Sequence, residues 1–234
     1  FIIQAKAEIL DFNERVIVGY WHNWENQSAP FIPLREVTDK YNVVNVSFIE
    51  TPGSGQEGYG YVPVFEPIRN RYPTDQEFIA EVNSLKNKGV KVLISIGGQN
   101  GHIELNTASE KNTYVSGVID IIDRYGFDGI DIDYEGGSMT ALADYQKSSL
   151  DYQDLTNPKL IYAIDAIREI HQYFVDEGED IIITSAPEIA YVQDGNVNAG
   201  LGQFLPVIHN IRDILDFVHV QLYNFGKDCQ EFSL

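Results

Sequence analysis

Three carboxylates stand at alternate positions in the segment 127–135, which reads FDGIDIDYE: Asp131, Asp133 and Glu135. In a β-strand every second side chain points the same way, so these three share one face, with neighbouring Cα atoms roughly 6.6 Å apart. Ile130, Ile132 and Tyr134 then face the other way, toward a helix layer. Crowded carboxylates inside a fold do not all ionise, because like charges and desolvation both raise their pKa. The expectation is a proton shared between Asp131 and Asp133 and a Glu135 held protonated near neutral pH, as a general acid requires.

A triplet of this kind also occurs as a solvated strand end or as part of a divalent-cation site. Two features favour acid–base chemistry. The opposite face is apolar, which marks a central strand, and no second acidic cluster or histidine pair supplies the other ligands a metal needs. His22, His102 and His219 have no metal-binding spacing, and His219, inside a strand pattern, reads as a packed residue. No metal site is expected.

The elements that must position these acids follow from short β-branched runs alternating with longer helical stretches. Strands are expected at 15–20, 42–48, 91–96, 129–134, 180–185 and 217–223. Thr74 and Glu77 form a capping box for a helix that stops at Gly89, and a second helix runs over about 113–125 to Gly126. A third opens with Asn157 as cap and Pro158 at the first position and closes near Gly178; a weaker one spans about 205–215.

Repeated strand–helix alternation implies a parallel sheet with helices on its faces. Tyr20, Ser95, the 131–135 cluster, Glu188 and Tyr223 all fall at or near strand C-termini, where barrel enzymes place their chemistry. An open doubly wound sheet uses a single switch point, and no GxGxxG turn follows the first strand. The expected class is α/β, a TIM (β/α)8 barrel. Six strands are countable where eight close the barrel, and the Gly- and Pro-rich insert 53–72 is a poor place to hide more. The expectation is a single catalytic barrel domain over residues 1–234 that lacks the last two β/α units at its C-terminal end.

The 234 residues are 44% hydrophobic and 22% charged, enough for one large core. Sixteen Lys and Arg stand against 35 Asp and Glu, a formal net charge of −19. Such a surface repels phosphate backbones, so no nucleic-acid partner is expected, and it also serves solubility alone. No apolar run approaches the length of a membrane span, and no membrane partner is expected. The single cysteine, Cys229, allows no internal disulfide. The chain starts at Phe1 without a charged leader or cleavage motif, as a processed or trimmed chain would. An extracellular monomer is expected.

Asp128, Asp131, Asp133 and Glu135 together fill a DxxDxDxE pattern, and here the chain resembles glycoside hydrolase family 18, the chitinases and their relatives. Residues 91–98 (KVLISIGG) resemble the family's SxGG strand through Ser95, Gly97 and Gly98. Residues 18–21 (VGYW), 45–48 (NVSF), 184–188 (TSAPE) and 221–224 (QLYN) resemble its first, second, fifth and sixth strands. The QxYN form is closest to the plant and chitinase D-like bacterial branch.

The resemblance implies hydrolysis of β-1,4 bonds beside N-acetylglucosamine with retention, the substrate's acetamide serving as nucleophile, without metal or cofactor. It implies Glu135 as acid and then base, Asp133 orienting the acetamide, Asp131 tuning Asp133, and Tyr223 aligning the acetamido oxygen. Tyr20, Phe48, Gln221 and Asn224 are expected as walls of the sugar site, with Gly97 and Gly98 as close-approach or substrate-contact positions and Asp128 and Ser95 as structural parts of the motif. Tyr20 and Phe48 read equally well as core, and Trp21 and Trp24 more readily as core than as sugar platforms. The partners implied are chitin or N-acetylglucosamine oligosaccharides. Gln99 replaces an aromatic residue that often follows SxGG, which counts against processive chitin binding and leaves shorter oligosaccharides open, and no tryptophan is present for the family's eighth strand. An endo-β-N-acetylglucosaminidase acting on N-glycans shares the same pattern, and a chitinase-like sugar-binding protein is the non-enzymatic alternative.

Overall fold

A computed structural model describes residues 15–27, 30–143, 152–193 and 201–223. Six strands form one parallel sheet in sequence order: β1 (Val18–His22), β2 (Val43–Ile49), β3 (Lys91–Gly97), β4 (Gly129–Asp133), β5 (Ile182–Ser185) and β6 (Phe217–Val218). The main helices are α1 (Asp75–Lys86), α2 (Ala108–Tyr125), α3 (Gly136–Leu142), α4 (Pro158–Asp176) and α5 (Leu205–Ile211). Consecutive parallel neighbours linked by helical crossovers make the wall of a (β/α)8 barrel, with six of its strands among the described residues.

Local signals set the helix ends. Thr74 accepts from the Glu77 N–H while the Glu77 carboxylate accepts from the Thr74 N–H, closing the box that starts α1. The same reciprocal pair, Thr107 and Glu110, starts α2, five residues earlier than the apolar period suggests, because the first turns carry mostly polar side chains. Gly126 ends α2 in the left-handed conformation, at φ 71°. Asn157 caps α4 with Pro158 in its first turn, as expected.

Some boundaries move. The first strand begins at Val18 rather than at 15 and reaches His22. The sixth pairs only over Phe217–Val218; beyond it, Gln221 makes an isolated parallel bridge to Glu188. The short helix α3, directly after Glu135, has no clear signal in the sequence. The insert 53–72 consists mainly of turns, tied to β2 by a single antiparallel bridge between Glu50 and Val64.

The outward face of β4 packs as its alternation requires. Ile130, Ile132 and Tyr134 are each at most 1% exposed and join the helix-side core. Burying each such side chain contributes about 1.5–3 kcal/mol, which fixes which face of β4 turns inward. Trp21 lies in the same core, edge-on to Phe31 and near Tyr72 and Phe78, and donates its indole N–H to the Ile32 carbonyl. Among the described residues, no helix is long and apolar enough to cross a membrane.

Candidate active site

The inward row of the sheet carries the chemistry. Ser95, Asp131 and Thr184 sit at one register level across β3, β4 and β5. Phe217 pairs with Thr184, so His219, two residues on, continues along the same inward face of the sixth strand segment.

Asp131 is fully buried and surrounded by donors from four strand segments. Its Oδ2 accepts from the Tyr20 hydroxyl at 2.6 Å and from Ser95 Oγ at 2.8 Å. Its Oδ1 accepts from Thr184 Oγ1 at 2.6 Å and from His219 Nε2 at 3.0 Å. Burial alone raises a carboxyl pKa, but the hydrogen bond and charge of His219, with Thr184 and Tyr20, outweigh it and hold Asp131 below the ordinary aspartate range. Tyr20 is pushed the other way, by burial and by the charges of Asp131 and Asp133, and so stays a neutral donor.

Asp133 lies one pleat nearer the mouth and is 4% exposed. Burial, the charge of Asp131 and the charge of Glu135 push its pKa up to about 8. Its carboxyl hydrogen-bonds Glu135, and the Gln221 amide spans the two, Nε2 lying 2.8 Å from Asp133 Oδ1 and 2.9 Å from Glu135 Oε1. The expected sharing of a proton between Asp131 and Asp133 is therefore corrected. Four donors occupy Asp131, so the proton goes to Asp133, on the side of Glu135.

Glu135 sits just past β4, at the N-cap of α3, and opens into a cleft of about 960 Å³. Tyr20, Trp24, Phe48, Asp133, Glu188, His219, Gln221 and Tyr223 all line that cleft, with the Tyr20 and His219 rings 5.8 Å apart. Glu188, after β5, has its pKa raised by burial and by the charge of Glu135. Tyr223 is raised by burial and by Asp133, Glu135 and Glu188. A second hollow of about 440 Å³ continues from the first past Trp24, Phe48 and Glu50.

Most of the residues singled out in the sequence meet here, with several reassignments. Gly97 and Gly98 are buried beneath the cleft and do not line it. A Cβ on Gly97, at φ 112°, would lie 2.2 Å from the Asp133 carbonyl oxygen, and one on Gly98 would lie 2.7 Å from the Phe48 ring. Both glycines let β3 and Phe48 close on the carboxylate strand. Asp128 lies at the opposite end of β4, where it accepts from the Val92 N–H and pairs with Lys86. Asn224 lies outside the described residues.

His219, which reads in the sequence as a packed residue, faces the cleft and binds Asp131 instead. Trp24, which reads as core, is 42% exposed and stacks on Phe48 at 6.0 Å between ring centroids. Thr184 carried no expectation of its own. Strand parity offers a signal for His219, which shares its face with Gln221. Among the described residues, no group of three His, Cys, Asp or Glu is placed to hold a metal ion.

The sequence profile of glycosyl hydrolases family 18 matches residues 16–232. Chitinase ChiA of Flavobacterium johnsoniae is 41% identical over 223 residues, covering 92% of this chain and 14% of that protein. Chitinase D of Niallia circulans is 41% identical over 216 residues, covering 90% of this chain and 38% of that protein. The crystal structure of a family GH18 chitinase from Chromobacterium violaceum superposes with a TM-score of 0.72 at 30% identity, over 90% of this chain and 51% of that one. The chain thus spans about half or less of the length of these relatives. It belongs to glycosyl hydrolase family 18.

Proposed function

We propose that the protein hydrolyses β-1,4 linkages beside N-acetylglucosamine, in chitin or chitooligosaccharides, by substrate-assisted retaining catalysis. The observation that carries this reading is geometric: the Gln221 amide spans Asp133 and Glu135 at the cleft wall, while Asp131 beneath them has four donors on its two oxygens. A retaining enzyme with a carboxylate nucleophile needs that carboxylate ionised and set across the sugar from the acid. Asp133 is on the same strand segment as Glu135, hydrogen-bonded to it and favoured in its neutral form, so it makes a poor nucleophile. The substrate's own acetamide fills that role.

Glu135 delivers a proton to the glycosidic oxygen as the bond from that oxygen to the anomeric carbon breaks. The acetamido carbonyl oxygen of the sugar in the deepest subsite forms the new bond to the anomeric carbon, giving an oxazolinium ion. Asp133, ionised once the pair has given up its proton, accepts from the acetamido N–H and balances the cation's charge. Tyr223 donates to the acetamido oxygen and aligns it, an effect of orientation. Glu135 then takes a proton from a water whose oxygen bonds the anomeric carbon as the bond from that carbon to the acetamido oxygen breaks, and the product keeps its anomeric configuration. Tyr20, Phe48 and Gln221 serve as walls of the same subsite.

The test is hydrolysis of chitooligosaccharides, followed by proton NMR of the first-formed anomer, beside a fully de-N-acetylated oligomer and a high-mannose N-glycan. Cleavage of the first with β-anomeric product, and no cleavage of the second, is expected. Normal hydrolysis of the de-N-acetylated oligomer removes the acetamide from the mechanism. Cleavage of the N-glycan alone assigns an endo-β-N-acetylglucosaminidase, and binding without any cleavage assigns a sugar-binding protein.

A further inference from the structure

An ionised carboxylate offers about four lone-pair sites, two on each oxygen. Asp131 has all four filled: Tyr20 and Ser95 on Oδ2, Thr184 and His219 on Oδ1. The three hydroxyl donors are uncharged. His219 is the one partner able to bring a positive charge, and its ring is part of the cleft wall rather than of the core.

A proton placed on Asp131 requires one of these donors to move away or to turn its hydroxyl and accept; the three hydroxyls come from strands fixed in register, and His219 follows directly on β6 with its backbone N–H bonded to the Ser185 carbonyl. A fully buried carboxylate with one site vacant, in contrast, is a good proton acceptor, since neutralisation relieves its desolvation. The occupancy of that fourth site therefore decides whether the proton of the carboxylate column rests on Asp131 or on Asp133.

We propose that His219 is a positioning residue: donating from Nε2 into the fourth lone-pair site of Asp131, it keeps the proton of the column on Asp133, next to Glu135. The titratable groups facing the pair are Tyr20 from β1, Asp133 and Glu135 from β4 and its end, Glu188 after β5 and Tyr223 after β6. Tyr20 is held neutral, and β3 contributes only the uncharged Ser95. Among these groups, His219 is the one nitrogen donor, the others being carboxyls and phenols. The importance of this for turnover rests on the function proposed above, but the proton placement itself does not.

The experiment is a pH titration of the full chain labelled with 13C at the aspartate carboxyl carbons, read by NMR without substrate. Asp131 and Asp133 are assigned from the Asp131→Asn and Asp133→Asn spectra. In the unsubstituted chain Asp131 is expected to stay ionised to below the ordinary aspartate range while Asp133 titrates far above it. A chain in which Asp131 takes up its proton at or above the pH at which Asp133 does overturns the proposal without any His219 variant. His219→Phe keeps a ring and removes the donor, and is expected to raise the Asp131 midpoint by about one pH unit or more, a tenfold gain in proton affinity.

His219→Gln returns an N–H donor close to the Nε2 position and is expected to restore most of the original midpoint. An unchanged Asp131 midpoint in His219→Phe overturns the proposal, as does an equal shift in both variants, which assigns the effect to ring packing. Where the chain cleaves chitooligosaccharides, the acid limb of kcat should move upward in His219→Phe together with the Asp131 midpoint. If it cleaves none, the proposed reaction fails while the carboxyl titration still decides the role of His219.

Discussion

Tyr20, on β1, donates its hydroxyl to Asp131 on β4 over 2.6 Å, joining residues 111 positions apart across the inside of the sheet. The acceptor is a fully buried charge, so the bond does more than fill space. Tyr20→Phe keeps the ring and vacates one lone-pair site on that charge. The expected loss of folding stability is about 1.5–3 kcal/mol, the range for hydrogen bonds to charged groups. Denaturant unfolding of the two proteins checks it, and equal midpoints with equal slopes refute it.

Glu135→Gln leaves the side chain's shape intact and removes its ability to give and take a proton. Turnover of chitooligosaccharides should fall by about 100- to 10,000-fold, the usual contribution of a positioned acid. Binding of the same sugars, measured by calorimetry, should change by no more than a few-fold. Near-normal turnover removes Glu135 from the mechanism.

Asp133 binds its proton more tightly in the folded chain, where its pKa reaches about 8, than in the unfolded chain, where an aspartate titrates near the ordinary value. Between about pH 4 and 8 the folded state therefore holds the extra proton, and stability falls as pH rises through that window. Asp133→Asn has nothing to lose there. Thermal melts at pH 5 and pH 8 should show the original protein losing several degrees more than the variant, at about 2–4 °C per kcal/mol for a chain of this size. Parallel pH dependences contradict the raised pKa.

Gly97→Ala and Gly126→Ala separate close approach from simple turn conformation. Both positions have positive φ, but an added Cβ at Gly97 meets the Asp133 carbonyl at 2.2 Å, whereas at Gly126 nothing lies within 4 Å. The first should cost more than about 4 kcal/mol and appear as loss of soluble, folded protein. The second should cost about 1 kcal/mol. Comparable melting temperatures for the two variants rule out the tight β3–β4 contact.

Gln221→Leu removes the amide that spans Asp133 and Glu135 and leaves both carboxyls without that donor. Leucine supplies no donor in its place. The expected result is a fall in kcat of about tenfold or more with the acid still present, since the pair is no longer held in one geometry. An unchanged kcat assigns Gln221 to packing alone.

The sequence by itself determined a good deal, because the signals concerned are local. Alternation along 130–135 separates Ile130, Ile132 and Tyr134 from the three acids, and burial of the apolar set then obliges the acids to face inward. Thr74 with Glu77, Asn157 with Pro158, and Gly126 mark helix ends through groups only a few residues apart. The run of motifs from 18 to 224 sufficed to identify the family.

The tertiary structure decided what depends on partners distant in the chain. Three carboxylates on one face do not reveal which carries the proton. Four donors, converging on Asp131 from β1, β3, β5 and the sixth strand segment, fill its lone pairs and hold it below the ordinary aspartate range, while burial and the charges of Asp131 and Glu135 push Asp133 up. His219 and Trp24, which read in the sequence as packed residues, stand in the cleft wall for the same reason. Composition around a residue says little about whether the wall it joins faces a core or a cleft, and that is fixed only once separate strands are brought side by side.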